Sequence, residues 1–412
     1  METTAKPLDG IRVIDLTRAL AGPYATLLLA GLGAEVIKIE DPVSGDLARD
    51  NSPYVGRDGI GPRKVHEDDI SISHLTRGRG KYGVSLNLKS PHAVDVFRDL
   101  VSVSDVVVEN FTSGTADRLG IGYEAAKAVN PRIVYCSLSG FGAGVAEGSK
   151  AMDVIIQALS GAMFTSGNAG AEPVRFGIPV ADMLAPVFAV IGILSALQQR
   201  ERTKTGQHVD VSMLGALTSF VAIENWHAME LAGIPSRTGL TVPRLSPFGV
   251  FRCADGYVSI VAVHDGFFGG LCQAMDLPLA DDKRFSTRDA RVTNAGELER
   301  TIGAWCEFRS THDVVKRLTA NNVPVAPVRS PIDALSDSRV LARGEVDTVQ
   351  HPAYPSGLEF STAGVPILFS GAPCKVASTL AVSIGQHNEH VYRDLLGYSP
   401  KRLEELRQQR VI

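Results

Sequence analysis

The stretch Ile11–Glu40 reads I-R-V-I-D-L-T-R-A-L-A-G-P-Y-A-T-L-L-L-A-G-L-G-A-E-V-I-K-I-E. Its two ends are short β-branched runs, which are typical of buried strands, and Pro23–Leu32 between them has a helical composition. The same alternation continues downstream, with strands predicted over Asp105–Phe111 and Arg132–Leu138 and a helix over Pro91–Val103. Strands that alternate with helices indicate a parallel sheet covered by helices, so the sequence predicts an α/β fold.

The end of the second predicted strand carries two acidic residues, Glu40 and Asp41, as the ribose-binding strand of a dinucleotide fold does. A dinucleotide site also needs G-x-G-x-x-G between the first strand and the helix, so that the backbone can approach the pyrophosphate. The corresponding turn here reads T-R-A-L-A-G-P and contains one glycine. The glycine pattern therefore excludes a dinucleotide site of this kind.

A second informative stretch is Val174–Met213, in which Asp182 precedes a nearly uninterrupted apolar run. This composition predicts a buried helix with Asp182 at its N-terminus and Pro186 in its first turn, where a missing N–H costs little. The positive end of a helix favours a carboxylate and would hold it ionised and nucleophilic. The residues alone leave a second interpretation open, because aspartate is also a common N-cap.

Composition and charge restrict the class of protein. The chain has 412 residues, 44% of them hydrophobic, which is enough for two or three domains with large cores. Its 41 basic and 45 acidic residues give a net charge of -4, so neither a nucleic acid nor a membrane surface is the expected partner.

Met1–Leu8 has no apolar core of signal-peptide length, which favours a cytoplasmic location. The apolar run Met183–Leu197 is shorter than the roughly 20 residues that span a bilayer, so no transmembrane segment is predicted.

Metal and disulfide sites are also not expected. The five cysteines are scattered, and none has the spacing of a zinc site or a disulfide framework. They are Cys136, Cys253, Cys272, Cys306 and Cys374.

Two polar regions invite a functional interpretation. Ser44–Gly80 is rich in Gly, Asp and Arg and lacks periodicity, so we expect a long loop over a site. The segment Arg77–Lys89 groups four basic residues around a short predicted strand and is the best local candidate for binding phosphates. A solvated basic face would explain the same charges.

A separate unit is predicted in the second half of the chain. Two short strands, Val250–Cys253 and Tyr257–Val263, flank the residues A-D-G, which signal a hairpin turn. The polar stretch Pro235–Pro247 before them is typical of a linker, and a charged helix is predicted over Pro400–Gln409.

Several motifs coincide, in collinear order over nearly the whole chain, with those of one family. They are L-D-G-I-R-V-I-D-L-T at 8–17, A-G-P at 21–23, L-G-A-E-V-I-K-I-E at 32–40, V-V-V-E-N-F at 106–111, N-P-R-I-V-Y at 130–135, S-G-F-G at 139–142, Q-A-L-S-G at 157–161, T-G-Q-H-V-D-V-S-M at 205–213 and A-D-G at 254–256. The chain thereby resembles the family III CoA-transferases, the family of formyl-CoA transferase and the crotonobetainyl-CoA:carnitine enzyme. The α-methylacyl-CoA racemases share that scaffold.

The resemblance implies a large Rossmann-like domain built from both chain ends, a smaller α+β domain, and two chains interlocked as a homodimer. On this chain the N-terminal part of the large, CoA-binding domain would cover residues 1–200. A linker helix and loop would cover 201–245 and the small domain 246–328. A return connector and the C-terminal part of the large domain would then cover 329–412.

The resemblance also implies the site. Asp182 matches the nucleophilic aspartate of the family, and Asp153 matches a second carboxylate near it. The positions that match CoA contacts are Ala19, Leu20, Ala21, Leu86, Lys89, Asn110, Phe111, Arg118 and Lys150. CoA would enter as a thioester substrate together with a small carboxylic acid, and neither a permanently bound cofactor nor a metal is implied.

The activity implied is transfer of CoA between small carboxylic acids through an aspartyl anhydride and an aspartyl-CoA thioester. Arginines in loop-like segments suggest a C4 or C5 dicarboxylate substrate, and an intramolecular shift of CoA between its two carboxyls stays open. These arginines are Arg18, Arg77, Arg79, Arg237 and Arg244.

Two other functions fit the same scaffold. One is racemisation of a 2-methylacyl-CoA, and the other is binding of acyl-CoA without catalysis. Met152 stands where the racemases have their catalytic histidine, which argues against the first, and the intact Asp182 argues against the second.

Overall fold

The computed structural model describes residues 5–145, 149–354 and 358–412. The strands of this part are β1 Arg12–Asp15, β2 Glu35–Glu40, β3 Tyr54–Gly56, β4 Gly59–Gly61, β5 Ile70–Ser71, β6 Lys81–Ser85, β7 Val106–Glu109, β8 Val134–Ser139, β9 His208–Ser212, β10 Phe248–Arg252, β11 Tyr257–Val261, β12 Val325–Pro327, β13 Val346–Gln350 and β14 Glu359–Ala363.

The α-helices of the same part are α1 Ala21–Gly31, α2 Ile72–Arg77, α3 Ala93–Ser102, α4 Thr115–Arg118, α5 Tyr123–Val129, α6 Asp153–Leu159, α7 Ala162–Thr165, α8 Val180–Thr203, α9 Met213–Val221, α10 Trp226–Leu231, α11 Asp265–Met275, α12 Arg288–Thr293, α13 Ala295–Glu307, α14 Thr311–Ala320, α15 Pro331–Leu335, α16 Ser338–Ala342 and α17 Pro400–Gln408. Short 3₁₀ helices cover Leu47–Asp50, Pro243–Leu245 and Leu279–Asp281, and a π-helix covers Glu389–Leu395.

The chain forms two compact units. The first consists of Met1–Ser160, Ile178–Phe220 and Leu335–Ile412, and the second of Gly161–Gly177 and Val221–Ala334. The first unit thus combines both chain ends. The stretch predicted as a linker, 201–245, is divided between the two units, and residues 161–177 group with the second unit rather than with the first.

The first unit is built on a parallel sheet of six strands in the order β6-β2-β1-β7-β8-β9. Numbered along the chain, this is the order 3-2-1-4-5-6 of a doubly wound nucleotide-binding fold. The predicted α/β fold with a parallel sheet is therefore confirmed, and β2 ends at Glu40 as predicted. The strand β9 was not predicted, because its polar and apolar residues alternate over only five positions.

The C-terminal segment of the first unit completes a core on this sheet. Leu403 and Leu406 of α17, together with Val391 and Tyr392 of the π-helix, are buried in one cluster with residues of α3 and α5. The helix α17 begins where predicted, because Ser399 accepts a hydrogen bond from the N–H of Arg402 as an N-cap.

The long helix α8 has 24 residues, nine more than the predicted apolar run. It is long and apolar enough to cross a membrane by length and composition, the one such helix in the described residues, so the length argument against a spanning segment was wrong. In the structure α8 packs against α1, β8 and β9. Near its end the buried Arg200 forms an ion pair with Asp105, with Nη1 3.1 Å from Oδ1. These contacts are those of a core helix of the first unit.

The region Ser44–Gly80 is not the predicted loop. It contains a 3₁₀ helix, the helix α2 and a small antiparallel sheet in the order β4-β3-β5. Its strands have only two or three residues, which is too short for an alternating pattern to show in the sequence. Val55, Ile70 and Leu75 anchor the region in a cluster with Val349 and Leu380.

The second unit has a three-stranded antiparallel sheet, β10-β11-β12, with α11, α13 and α14 packed on it. The predicted hairpin is confirmed: β10 and β11 pair antiparallel, and the N–H of Cys253 donates to the carbonyl oxygen of Gly256 at 2.8 Å.

Candidate active site

The site lies at the carboxyl ends of the parallel strands, between β1 and β7, where the strand order reverses. Open α/β sheets bind ligands at such a crevice. The loops that follow the two strands are tied together by Arg18 and Asn110. The N–H of Arg18 donates to Asn110 Oδ1 at 2.8 Å, and Asn110 Nδ2 donates to the carbonyl oxygen of Arg18 at 2.9 Å.

The loop after β1 is held in an unusual conformation. Ala19 has a φ of 66°, in the left-handed region that a residue with a Cβ rarely adopts. Its N–H donates to Asp46 Oδ1 at 3.0 Å, Asp46 pairs with Lys38 at 2.8 Å, and Lys38 Nζ donates to the carbonyl oxygen of Thr17. A Cβ at Gly22 would stand 2.3 Å from Thr17 Cβ, so the A-G-P motif needs its glycine. Buried charges and close packing thus fix this loop from beneath.

Asp15 extends this buried network beneath the sheet edge. Lys81 Nζ lies 3.0 Å from Asp15 Oδ2, and Thr26 Oγ1 donates to the same oxygen at 2.6 Å. Burial alone would raise the pKa of Asp15, but Lys38, Lys81 and the hydroxyls of Thr17 and Thr26 outweigh it and lower that pKa to about 2.

A cavity of about 330 Å³ opens above this loop. Seven of the residues predicted for the site line it: Ala19, Leu20, Ala21, Asn110, Phe111, Asp153 and Asp182. The structure therefore brings both predicted carboxylates and the two predicted loop segments to one place.

Asp153 is the first residue of α6, yet its carboxylate caps the N-terminus of α8. Oδ1 accepts hydrogen bonds from the N–H groups of Ala181 at 2.8 Å and Asp182 at 3.3 Å, and Gln157 Nε2 donates to Oδ2 at 2.6 Å. The residue before α8 is Pro179, which offers no side-chain cap. The favourable place for an anion at this helix end, which the sequence assigned to Asp182, is taken by Asp153.

Asp182 is the third residue of α8 rather than its cap, and Pro186 lies beyond the first turn. The side chain is half-buried, and its pKa is raised to about 6. Burial is the main cause and the negative charge of Asp153 adds to it, whereas Arg77 acts in the opposite direction. The expectation that the helix end alone holds Asp182 ionised is therefore corrected. At neutral pH the group is still mostly a carboxylate, and one more basic than an exposed aspartate.

Four predicted CoA contacts lie outside this cavity. Leu86 is buried in the core at 1% exposure, and Lys89 is exposed in the loop after β6. Arg118 is exposed at the end of α4, where Nη2 donates to Thr115 Oγ1 at 2.8 Å. Lys150 is exposed beside residues 146–148, which lie outside the described chain. These contacts stay predictions.

The basic segment Arg77–Lys89 is not a single phosphate-binding face. Arg79 is buried with Nη1 3.0 Å from Asp347 Oδ2, and Lys81 is buried beside Asp15. Both charges serve internal ion pairs, which the sequence could not reveal because their partners come from distant elements.

Other lining residues received no role from the sequence. The S-G-F-G motif after β8 places Ser139–Gly142 in the wall of the cavity, where the N–H of Gly142 donates to Ser139 Oγ at 2.9 Å. Met152 also lines the cavity and is 71% exposed. Within the described residues, no group of three or more His, Cys, Asp or Glu side chains is arranged to hold a metal.

Comparison with known proteins gives the family of the chain and supports the fold. The family model "CoA-transferase family III" matches residues 8–388. The chain is 34% identical to a formyl-CoA:oxalate CoA-transferase of Streptomyces coelicolor, over 99% of this chain and 100% of the relative. It is 32% identical to a succinate–glutarate CoA-transferase of Agrobacterium fabrum, over 96% and 97%.

A solved structure shows the same fold. The crystal structure of a CAIB/BAIF family protein from Brucella suis superposes with a TM-score of 0.81 at 31% identity, covering 95% of this chain and 100% of that one. With a family match over most of its length and full-length relatives above 30% identity, this chain belongs to family III of the CoA-transferases.

Proposed function

We propose that the enzyme moves CoA between two small carboxylic acids with Asp182 as its nucleophile. The observation that carries this proposal is the position of Asp182, a half-buried carboxylate of raised pKa that lines the cavity at the switch point of the sheet. A carboxylate of raised pKa is still ionised near neutral pH and is more basic, and therefore more nucleophilic, than an exposed one.

The reaction would proceed in two symmetrical halves. A carboxylate oxygen of Asp182 attacks the thioester carbonyl carbon of the donor, which gives a mixed anhydride and the CoA thiolate. The thiolate then attacks the aspartyl carbonyl carbon, so that an aspartyl-CoA thioester forms and the donor acid leaves as a carboxylate. The acceptor carboxylate attacks that thioester and releases the thiolate, which attacks the acceptor acyl carbon and regenerates Asp182. A cavity that limits water protects the anhydride and the thioester from hydrolysis.

Asp153 would not take part in bond making. Its two oxygens already accept three hydrogen bonds, and its charge raises the pKa of Asp182. We assign it the role of fixing the start of α8 and of increasing the basicity of the nucleophile.

The CoA moiety would lie against the loop Ala19–Ala21 and against Asn110 and Phe111, with its nucleotide beyond the cavity. Leu86, Lys89, Arg118 and Lys150 are the proposed contacts there. Lysine and arginine suit phosphates, and the three basic side chains are exposed and able to meet them.

For the acids we propose short dicarboxylates. The two relatives compared above are named for four acids: formate, which has one carboxyl group, and oxalate, succinate and glutarate, which are dicarboxylic acids of two to five carbons. A C4 or C5 dicarboxylate remains our expectation, with CoA passing either between two acids or between the two carboxyls of one acid.

Racemisation of a 2-methylacyl-CoA is the weaker candidate. It requires an acid and a base on opposite faces of the α-carbon. Met152 lines the cavity beside Asp153 and carries no transferable proton. The third candidate is binding of acyl-CoA without catalysis. A protein that only binds acyl-CoA would not need the raised pKa of Asp182.

We further propose that the protein acts in the cytoplasm as an interlocked homodimer. Exposed apolar residues on one face of α8, namely Val187, Ile191 and Leu194, support an interface between copies.

The test of the function is a panel of acyl-CoA donors with dicarboxylate acceptors, with new acyl-CoA detected by mass spectrometry. Donor alone should leave a CoA adduct on the peptide that contains Asp182, and Asp182→Asn should reduce turnover by about three orders of magnitude or more. Full turnover in that variant, once deamidation is excluded, would refute the proposal.

A further inference from the structure

The wall of the cavity that contains Asp182 holds one cationic side chain. Arg18, in the loop after β1, is the single lysine or arginine among the described residues that line this cavity. The same wall carries two carboxylates, those of Asp153 and Asp182. A substrate that brought a further carboxylate into the cavity would meet both negative charges, so it needs a cation and hydrogen-bond donors nearby. Arg18 is the lining side chain that can supply both.

Arg18 is held at the cavity by contacts that leave its guanidinium N–H groups unused. Its Cζ lies 5.5 Å from the ring centroid of Phe111, and attraction to the ring face does not consume a hydrogen-bond donor. Its backbone N–H and carbonyl oxygen are both bonded to the side chain of Asn110. Phe111 is fixed in turn, because its N–H donates to Glu109 Oε2 at 2.7 Å. The loops after β1 and β7 therefore place the guanidinium without occupying it.

No carboxylate of the protein uses these donors either. Among the residues that the structure describes, Arg18 forms no ion pair, and its hydrogen bonds are those of its backbone. Asp41 is a carboxylate on which the charge of Arg18 acts, but its Oδ1 already accepts from the N–H groups of Val43 and Ser44 at 2.9 Å each. An exposed guanidinium in the wall of the cavity is thus free to bind a ligand.

The other arginines that the sequence suggested for a second carboxylate are placed differently. Arg79 and Arg244 form ion pairs of 3.0 Å and 2.8 Å with carboxylates of their own units. Arg237 is buried and donates to a backbone carbonyl oxygen. Arg77 lines a separate cavity of about 20 Å³, which is large enough for a water molecule but not for an organic acid. Of the five, Arg18 is the one that shares a cavity with Asp182.

We propose that Arg18 binds the second carboxylate of the acid substrate, the one that is not joined to CoA, and thereby selects short dicarboxylic acids over monocarboxylic acids. This inference rests on the proposed function. The guanidinium donates two parallel hydrogen bonds to the carboxylate and offsets its repulsion from Asp153. The acyl chain then extends from Arg18 to the carbonyl carbon that Asp182 attacks.

The phosphates of CoA are the other anions that an exposed arginine can meet. The position of Arg18 favours the acid, because Arg18 and Asp182 line one cavity and the nucleotide is proposed to lie beyond it. The two possibilities differ in a measurable way. A phosphate contact affects every acyl-CoA equally, whereas a contact with the acid affects only substrates that carry a second carboxylate.

The test compares Arg18→Met, which removes the charge and the N–H donors, with Arg18→Lys, which keeps the charge but not the planar pair of donors. Arg98→Met on α3 is the matched control, because Arg98 is exposed, lies outside the cavity wall and has only a 3.6 Å surface pair with Asp95. The acceptors are glutarate and pentanoate, which have equal length but two carboxylates and one. The donors are succinyl-CoA and butyryl-CoA, which differ in the same way.

The wild type should prefer glutarate to pentanoate by about 100-fold or more in kcat/KM, because pentanoate leaves the guanidinium without its partner. In Arg18→Met this preference should fall to about tenfold or less, through a higher KM for glutarate. KM for succinyl-CoA should rise several-fold and that for butyryl-CoA much less. Arg18→Lys should lie between Arg18→Met and the wild type, and Arg98→Met should keep the wild-type preference.

Several outcomes would overturn the inference. A wild type that uses pentanoate as well as glutarate, or a folded Arg18→Met that keeps the preference for glutarate, contradicts it. An equal rise in KM for succinyl-CoA and butyryl-CoA would assign Arg18 to a phosphate of CoA instead. Should Arg18→Met not fold, Arg18→Gln and Arg18→Lys provide the same contrast. CoA transfer through Asp182 between monocarboxylates alone would leave that chemistry standing and refute the role of Arg18, whereas absence of any adduct on Asp182 would refute the proposed function itself.

Discussion

Asp153 and Asp182 lie at the same helix end but have different environments. Asp153 accepts two hydrogen bonds from the start of α8 and one from Gln157, whereas Asp182 lies in the first turn of α8 and has its pKa raised by burial and by the charge of Asp153. The sequence predicted both carboxylates for the site, but it did not show that Asp153 is the one that caps α8. The cap of α8 comes from a residue 28 positions earlier in the chain, and no local pattern encodes a contact of that range.

The two carboxylates should therefore affect stability in opposite directions. Because the folded-state pKa of Asp182 lies above that of the unfolded chain, its ionisation opposes folding, and this cost is complete above about pH 6. Asp182→Asn should raise the free energy of unfolding at pH 8 by roughly 1 kcal/mol, discounted for partial exposure, and should leave it unchanged near pH 4. Urea unfolding at both pH values measures the difference.

Asp153→Ala should change the stability in the opposite direction to Asp182→Asn. It removes the acceptor of the two N–H groups at the start of α8 and should lower the free energy of unfolding by about 1 kcal/mol or more. Loss of its negative charge should also lower the pKa of Asp182, so the acidic limb of adduct formation should move to lower pH. A variant more stable than the wild type, or a limb moved to higher pH, would contradict this assignment.

The proposed phosphate contacts give another residue-level prediction. Replacing Lys89, Arg118 or Lys150 by Ala should raise KM for acyl-CoA several-fold with a smaller change in kcat, because such contacts are made equally in the ground and transition states. Steady-state kinetics with one acceptor at saturation measures this. If none of the three variants changes KM, the nucleotide lies elsewhere.

Among the elements, the strands β1, β2, β7 and β8 and the β10–β11 hairpin were predicted, whereas the two- and three-residue strands β3, β4 and β5 were not. The β-α-β opening emerged from the sequence because each strand is buried on both faces, as strands of a parallel sheet are. The β4-β3-β5 sheet was missed because its residues are ordered by contacts with Val349 and Leu380, near the other end of the chain. The role of Arg79 and Lys81 in the basic segment around β6 was mispredicted for the same reason, since their partners Asp347 and Asp15 lie far away along the chain.

The loop after β1 is the element through which the fold positions the site. Gly22→Ala should push Thr17 away, because the new Cβ would lie 2.3 Å from Thr17 Cβ, and should lower the free energy of unfolding by about 1–3 kcal/mol. KM for acyl-CoA should rise as well, since Ala19–Ala21 lines the cavity.

Gly303→Ala provides the control for this substitution. Gly303 lies within α13 and an added Cβ there would meet no atom within 4 Å, so this variant should be unchanged or up to about 1 kcal/mol more stable. Equal stability of the two alanine variants in urea would show that the loop is not constrained as described.

For the molecule as a whole, the main feature is that one unit is assembled from both ends of the chain. The chain leaves the first unit after Phe220 and returns to it at Leu335. Residues of α17 and the π-helix share their core with α3 and α5, so the first unit needs the C-terminal segment to close. Composition along the chain could not predict which parts of 161–245 belong to which unit. The assignment depends on contacts between residues that are distant in sequence.

The surface of the first unit has exposed apolar residues on α8 and α6 that are relevant to the oligomeric state of the protein. Val187, Ile191 and Leu194 follow one another at helical spacing on α8 and are 41%, 52% and 36% exposed, and Val154, Ile155 and Leu159 of α6 are exposed as well. An apolar face of this extent is costly in water unless it is covered. The family resemblance suggested a dimer, and this face gives the proposal a physical basis.

We therefore expect the protein to sediment as a dimer at nanomolar concentration, and Ile191→Glu to abolish that dimer or the soluble yield, because it would place a charge within the covered face. Lys401→Glu on α17 is the control, because Lys401 is another exposed residue of the same unit and a change of charge there should have no effect on assembly. If the chains are interlocked, mixed wild-type and tagged dimers should form only after unfolding and refolding together, since threaded chains cannot exchange in the native state. A folded wild-type monomer at nanomolar concentration, or binding of the wild type to lipid vesicles that Ile191→Glu removes, would show that another partner covers α8.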